Sequence, residues 1–348
     1  VNAYKSKQQT VYRQLLEGLS DVIESLEFSP FRLRIIGTAG SGKTQVTMRF
    51  CERAIKRGEK PLLLCFNRPL ADKLEALAPD GVKANTYHGF VREMAEQCGV
   101  EIDFKKADEP GFWRDIQEQL LAATLAGLPQ FNCLVVDEGQ DFKADWYDIL
   151  QMFLADDATQ LWLEDPLQNL RSNDPIDLPG FVTYREMANF RTPLSIAGFI
   201  KGTLDSEFEQ RNLLPGLGVG VYEYEDSSDL PEILERRIGE ITKPGFSPKD
   251  IAIISCRGIK STALAGIAQI GNHRLRKFTG EYNSRNEQVY TEGDITFETI
   301  FRYKGQQAPC VILVDLDESI ERNDWSLGIL YCAMTRATMR LELVVKHD

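Results

Sequence analysis

The octapeptide Gly37-Thr38-Ala39-Gly40-Ser41-Gly42-Lys43-Thr44 constrains this chain more than any other feature. It follows the apolar run Leu33–Ile36 and opens a helical stretch, so it reads as the turn between a buried strand and a helix. Glycines in such a turn let backbone N–H groups point inward around phosphate oxygens. Lys43 adds charge at the outer phosphates, and the Thr44 hydroxyl can ligate a magnesium ion. Gly37 to Thr44, with Gln45 next in line, are therefore the candidate nucleotide-binding residues.

A strand–turn–helix unit of this kind needs a parallel sheet. Short β-branched or Leu-rich runs recur near Leu33–Ile36, Leu62–Phe66, Cys133–Asp137 and Gln160–Leu163 in the first half. They recur near Val219–Tyr224, Ile251–Ser255, Ile295–Phe301, Cys310–Asp315 and Leu341–Val345 in the second. Helical stretches separate them at Lys43–Arg57, Pro69–Leu77, Ala144–Leu154, Pro193–Leu204, Leu230–Ile241 and Leu327–Thr338. This alternation predicts α/β architecture with parallel sheets covered on both faces. The Pro-, Asp- and Gly-rich stretch Arg171–Gly180 reads as a joint, which divides the 348 residues into domains 1–175 and 176–348.

Composition narrows the compartment and the partners. Seven scattered cysteines, none in a C-x-x-C pair, and three histidines far apart in sequence predict a reducing, cytoplasmic setting and no zinc motif. The longest apolar runs are strand-sized, so no membrane span is expected, and the polar start VNAYKSKQQT does not read as a signal peptide. With 40 basic and 52 acidic side chains the net charge is −12, against a chain coated in nonspecific nucleic-acid-binding charge.

Chemistry gathers at three further places. Val135-Val136-Asp137-Glu138-Gly139-Gln140-Asp141 ends an apolar strand in acids: Asp137 is the candidate metal ligand, and Glu138 the group that orients or deprotonates attacking water. Asn189-Phe190-Arg191-Thr192-Pro193 and Tyr331-Cys332-Ala333-Met334-Thr335-Arg336-Ala337 each present an arginine, the latter on a small apolar helix face. Arg191 and Arg336 are candidate arginine fingers, and Phe190 a base-stacking ring. A small-molecule kinase has no use for two such arginine motifs.

In this order the motifs resemble the superfamily 1 DNA helicases of the UvrD/Rep type, over most of the chain. The resemblance implies two RecA-like parallel-sheet domains with the phosphate-loop ATP site in the cleft between them. Gln8, within Lys7-Gln8-Gln9, is similar to the adenine-reading glutamine. Leu64–Ala71 and Thr86–Phe90 resemble segments that contact single strands, which implies nucleic-acid roles for Phe66, Asn67, Arg68, Tyr87 and His88. Glu164-Asp165-Pro166-Leu167-Gln168 implies a γ-phosphate sensor in Gln168. Thr299–Gln307 resembles a motif that implies nucleotide contacts from Gly305 and Gln307 and a nucleic-acid contact from Arg302. Arg336 then completes the catalytic set with Lys43, Glu138, Gln168 and Arg191. The implied cofactors are ATP and Mg²⁺, with single-stranded DNA as partner and RNA left open.

The chain departs from that pattern in places. Glu164 replaces a glycine, Gln307 an acid, and Gln45 an arginine. Arg171 and Asn173 lie where the family places a base-stacking aromatic. The gaps from His88 to Asp137 and from Pro193 to Thr299 are short. The 1B insertion is therefore expected to be reduced, at about residues 100–128, and the 2B insertion absent. The expected function is an ATP-dependent helicase or translocase motor on single-stranded DNA. The alternative is a nucleotide-gated ATPase module of a larger protein or complex, acting on a protein partner without unwinding of its own.

Overall fold

The computed structural model describes residues 1, 3–8, 20–23, 25–106, 109–123, 130–204, 208–283, 288–317 and 323–347. They form two compact units. The first comprises Gly18–Gly37 and Gly42–Glu186; the second comprises Val1–Glu17, Thr38–Ser41 and Met187–Asp348. Among the described residues no helix is long and apolar enough to cross a membrane.

The first unit is built on six strands: β1 (Arg32–Gly37), β2 (Pro61–Cys65), β3 (Lys83–Thr86), β4 (Phe131–Val136), β5 (Leu154–Glu164) and β6 (Val182–Glu186). Their order is β3-β2-β4-β5-β1-β6 and every pairing is parallel. All five residues of β2 are buried, as a central parallel strand requires. Helices α1 (Lys43–Lys56), α2 (Arg68–Leu77), α3 (Tyr87–Gln97), α4 (Phe112–Ala122) and α5 (Ala144–Gln151) supply the connections. Two cores result. One packs Leu33, Ile35, Leu63, Leu161 and Leu163 against α1 and α2; the other gathers Tyr87, Trp113, Trp146 and Trp162 with Leu62, Leu64 and Leu134.

The second unit begins with the two-residue strands β7 (Ala188–Asn189) and β8 (Glu209–Gln210) and helix α6 (Leu194–Leu204). Its main sheet contains β9 (Val219–Tyr224), β10 (Ile251–Ser255), β11 (Gln269–Ile270), β12 (His273–Arg276), β15 (Ile295–Thr299), β16 (Ala308–Asp317) and β17 (Ala337–Lys346). The order is β11-β12-β15-β10-β16-β17-β9. Helices α7 (Leu230–Thr242), α8 (Ile300–Tyr303) and α9 (Asp324–Met334) connect them, and β13 (Phe278–Tyr282) with β14 (Gln288–Tyr290) forms a separate antiparallel pair.

Several boundaries differ from the sequence reading. The second sheet is mixed rather than parallel, because β11 runs antiparallel to β12 at its edge. Strand β6 pairs with β1 and holds the chain in the first sheet through Glu186, so the division between units falls after the Pro-rich joint, not at 175. The helix expected over 144–154 stops at Gln151, since Leu154 already pairs with Phe131 as the start of β5. The helix expected over 327–338 is displaced to Asp324–Met334, where the Asn323 side chain caps it by accepting from Ser326 N. Within the expected 100–128 insertion the described α-helix is α4; residues 107–108 and 124–128 lie outside the described ones, as does Gln9. In the gap expected to lack an insertion, the β13–β14 pair stands between β12 and β15.

Candidate functional site

In the first unit, β4, β5 and β1 are neighbours, so their C-terminal ends deliver three segments to one edge of the sheet. Ligands of open parallel sheets bind at that edge. From β1 the chain turns at Gly40 (φ 76°) and Gly42 (φ 97°), left-handed conformations that glycine adopts without strain, and Gly42 caps α1. No acid stands in the first turn of α1, so its positive end is unopposed. The Ser41 hydroxyl is buried without a hydrogen-bond partner, a donor suited to a phosphate oxygen. Thr38 and Ala39 are buried; Thr44 and Gln45 are half-buried on the first turn.

Lys43 is buried, donates to the Gly37 carbonyl at 2.6 Å and stands 4.0 Å from Asp165 Oδ2. Asp137 follows β4, and its amide donates to the Leu64 carbonyl at 2.8 Å. Burial above all, and the charge of Glu138 after it, push the Asp137 carboxyl up to about 7 against the opposing pull of Lys43. Glu138 occupies the left-handed region (φ 57°, ψ 45°), a conformation that a non-glycine residue keeps only where its surroundings enforce it. Two buried carboxylates beside one lysine leave negative charge to be compensated. The Asp137 carboxylate and the Thr44 hydroxyl are the hard-oxygen donor types that suit Mg²⁺.

Three residues that the sequence reading did not assign hold this arrangement. Gln140 donates from Nε2 to Glu138 Oε2 at 2.6 Å and accepts the Asp165 amide at 3.0 Å, tying the acidic turn after β4 to the end of β5. Asp165 takes a hydrogen bond from Gln168 Nε2, which fixes the buried Gln168 amide close to Lys43. Glu164, at a position where the resemblance leads to glycine, pairs with Arg34 at 2.7 Å and accepts from Trp162 Nε1 at 3.2 Å. Asp165 carried a legible signal, because it ends an apolar strand in an acid just as Asp137 does.

A second cluster lies wholly in the second unit. The buried Asn189 side chain accepts from the amides of Arg191 (3.0 Å) and Thr192 (2.9 Å), building the turn that presents Phe190 and Arg191. Arg191 donates to the Thr335 carbonyl at 2.8 Å and to Gln307 Oε1 at 3.4 Å. Arg336 is corrected from a helix-face position: it stands beyond the end of α9, is buried, and donates to the carbonyls of Cys332 (2.9 Å) and Gln306 (3.3 Å). Gly305 (φ 79°) turns the chain from α8 toward Gln307. Gln8 donates from Nε2 to the Thr338 carbonyl. Lys5, Gln8, Arg191, Asp250 and Gln307 border a cavity of about 290 Å³.

The expected nucleic-acid residues divide. Phe66 and His88 are half-buried and lie edge to face at 5.5 Å. Asn67 caps α2 by accepting from Leu70 N, and Arg68 pairs with Asp72 at 2.7 Å. Tyr87 is corrected to a core residue: it is fully buried and stacks on Trp146 at 4.4 Å and 9°, so its ring is closed to a base. Arg302 pairs with Glu298 at 2.9 Å and lies 3.9 Å over the Phe278 ring, committed to the β13–β14 pair.

Residues 27–172 match the AAA domain family and residues 294–344 the UvrD-like helicase C-terminal domain family. No curated protein matches the chain. The first match spans Lys43, Asp137, Glu138, Asp165 and Gln168; the second spans Arg302, Gln307 and Arg336. The two matches, in this order along one chain, support its placement among the UvrD/Rep-like superfamily 1 helicases.

Proposed function

We propose that the chain is an ATP-driven motor that acts on single-stranded DNA. The observation that carries this reading is the linked set Lys43, Asp137, Glu138, Gln140, Asp165 and Gln168 at the end of the parallel sheet. A lysine beside buried acids and an amide is an arrangement for hydrolysing a phosphoanhydride.

In this reading Gly37–Thr44 wrap the phosphates, and Lys43 leaves the Gly37 carbonyl for the β- and γ-phosphate oxygens. Thr44 and Asp137 hold Mg²⁺, which when bound neutralises phosphate charge. Glu138, fixed by Gln140, orients the attacking water and takes its proton. Gln168 reports the γ-phosphate to Asp165. Gln8 reads adenine and Phe190 lines the base. Arg191 and Arg336 supply transition-state charge, an effect of roughly 10³–10⁵ in rate for an arginine finger. Phe66, Asn67, Arg68 and His88 face the strand.

The test is ATP turnover with and without oligo-dT at two salt concentrations. The motor reading requires stimulation by the single strand and binding that weakens with salt through counterion release. A second reading, a nucleotide-gated ATPase module without unwinding of its own, draws support from Tyr87 and Arg302 being taken up in internal contacts. Turnover that is identical with DNA, RNA or neither selects it.

A further inference from the structure

Strand β9 ends the order of the second sheet, so only one of its sides has a neighbouring strand among the described residues. That neighbour is β17, and the parallel pairing runs unbroken from Val219 opposite Leu341 to Tyr224 opposite Lys346. The Leu341 amide donates to the Gly218 carbonyl at 3.3 Å, and the His347 amide to the Tyr224 carbonyl at 2.7 Å. These bonds fix the parity of the strand. The main-chain groups of Gly220, Tyr222 and Tyr224 face β17, and those of Val219, Val221 and Glu223 face away. Among the described residues nothing hydrogen-bonds to the outward N–H and C=O groups of these three.

The other sheet edges are blunted in ways that discourage further pairing. Strand β11 is two residues long, β3 carries Lys83 and β6 carries Arg185. Strand β9 has six residues, with no proline, no cation and no bulge. Its two faces differ, because alternate side chains point to opposite sides. Tyr222 lies under the Arg237 guanidinium at 3.8 Å and Tyr224 packs in the core with Leu230 and Leu234, so α7 closes that face. On the other face Val219 is half-buried, Val221 is 50% exposed and Glu223 is exposed. From Asn212 to Glu235 the chain has six acids and no lysine or arginine. Lys346, opposite Tyr224 on β17, acts on one of them, Asp226.

We propose that the free side of β9 is a docking site for an extended, basic segment of a partner protein, which adds to the second sheet as a further strand. Main-chain pairing with Val219, Val221 and Glu223 supplies affinity, and the exposed Val221 face receives apolar side chains at alternate positions. Glu223, Glu225 and Asp226 then meet the lysines or arginines of the segment. Charge decides between occupants. A second copy of this chain, at net charge −12, brings the same acids to the edge, whereas a basic segment neutralises them. Docking of this kind is independent of how the nucleotide site is used.

Fluorescence anisotropy of the full chain with a short labelled peptide of alternating valine and threonine, flanked by lysines, tests this. The peptide is expected to bind, more weakly as salt rises, and a glutamate-flanked version at least about tenfold less tightly. N-methylation of the central amides keeps the side chains and is expected to abolish binding. Val221→Pro removes one outward N–H and leaves the β17 ladder intact, so binding weakens about tenfold at an unchanged thermal midpoint. Glu223→Lys shifts the preference toward the glutamate-flanked peptide, and decides the matter if Val221→Pro lowers the midpoint. No binding of the lysine-flanked peptide, equal binding of its N-methylated or glutamate-flanked form, or full affinity in Val221→Pro overturns the proposal. An unchanged preference in Glu223→Lys does the same. So does a wild-type dimer in analytical ultracentrifugation that Val221→Pro dissociates, which makes a second copy the occupant.

Discussion

A side chain at position 139 would run into the indole of Trp162: even a single Cβ on Gly139 collides with Trp162 Nε1 and its neighbouring ring carbons. Trp162 is fully buried on β5 and anchored through Nε1 to Glu164, so it has nowhere to retreat. Gly139→Ala is therefore expected to cost about 1–3 kcal/mol by overpacking. The same clash shifts the turn that aims Glu138. Thermal unfolding should show a lower midpoint, with altered Trp162 fluorescence and slower ATP turnover.

Lys43→Ala and Glu138→Gln should separate binding from chemistry. Removing the lysine deletes charge from the phosphate site, so nucleotide affinity and turnover fall together. Glu138→Gln keeps the size and the Gln140 contact but no longer accepts a proton, so ATP still binds while kcat drops by about 10²–10⁴. Equilibrium binding of a fluorescent ATP analogue beside steady-state kinetics checks both. Normal turnover in either variant contradicts the assigned roles.

The Thr338 carbonyl can only accept, so it dictates which way the Gln8 amide is turned. Under the proposed reading its remaining N–H donates to N7 of adenine and its oxygen accepts from the 6-amino group, a pair that the 6-oxo group of guanine cannot complete. KM for ATP should be at least about tenfold below that for GTP, and Gln8→Ala should bring the two together by raising the ATP value. Competition between the two nucleotides measures it directly.

Glu342 on β17 is fully buried and pairs with Arg237 through both oxygens, at 3.0 and 3.2 Å, while Arg340 reaches it at 2.7 Å. Glu342→Ala leaves arginine charge in or beside the core of the second unit without its acid, an expected loss of about 3–5 kcal/mol. Hydrogen exchange along β16 and β17 should accelerate, while the sheet of the first unit keeps its protection.

Much of this architecture was legible because parallel sheets write themselves as apolar runs. Val219–Tyr224 and Ile251–Ser255 match the observed strands end to end. Lys83–Thr86 did not show as a strand, since three of its four residues are only half-buried and Lys and Asn carry no β signal. Val182–Glu186 is an exposed edge strand, equally silent, and it moved the boundary between units. Among site residues, Lys43, Asp137 and Glu138 came from local motifs and lie together. Gln140 and Glu164 did not stand out, because their partners Asp165 and Arg34 are distant in sequence. Tyr87 misled for a related reason: the resemblance of Thr86–Phe90 implies a contact with a single strand, but Trp146, contributed by α5, stacks on the buried ring.

Residues 1 and 3–8 belong to the unit made mostly by the second half of the chain. Lys5 finds Asp250 across 245 positions, and Gln8 finds Thr338 across 330. On a ribosome, these partners emerge tens of seconds after the residues that need them, at the usual roughly 5–20 residues per second. The first unit can complete its sheet during that interval. The Gln8 amide cannot be seated on the Thr338 carbonyl until β17 exists, so under the proposed reading the contact to the base is the last part of the nucleotide site to be made.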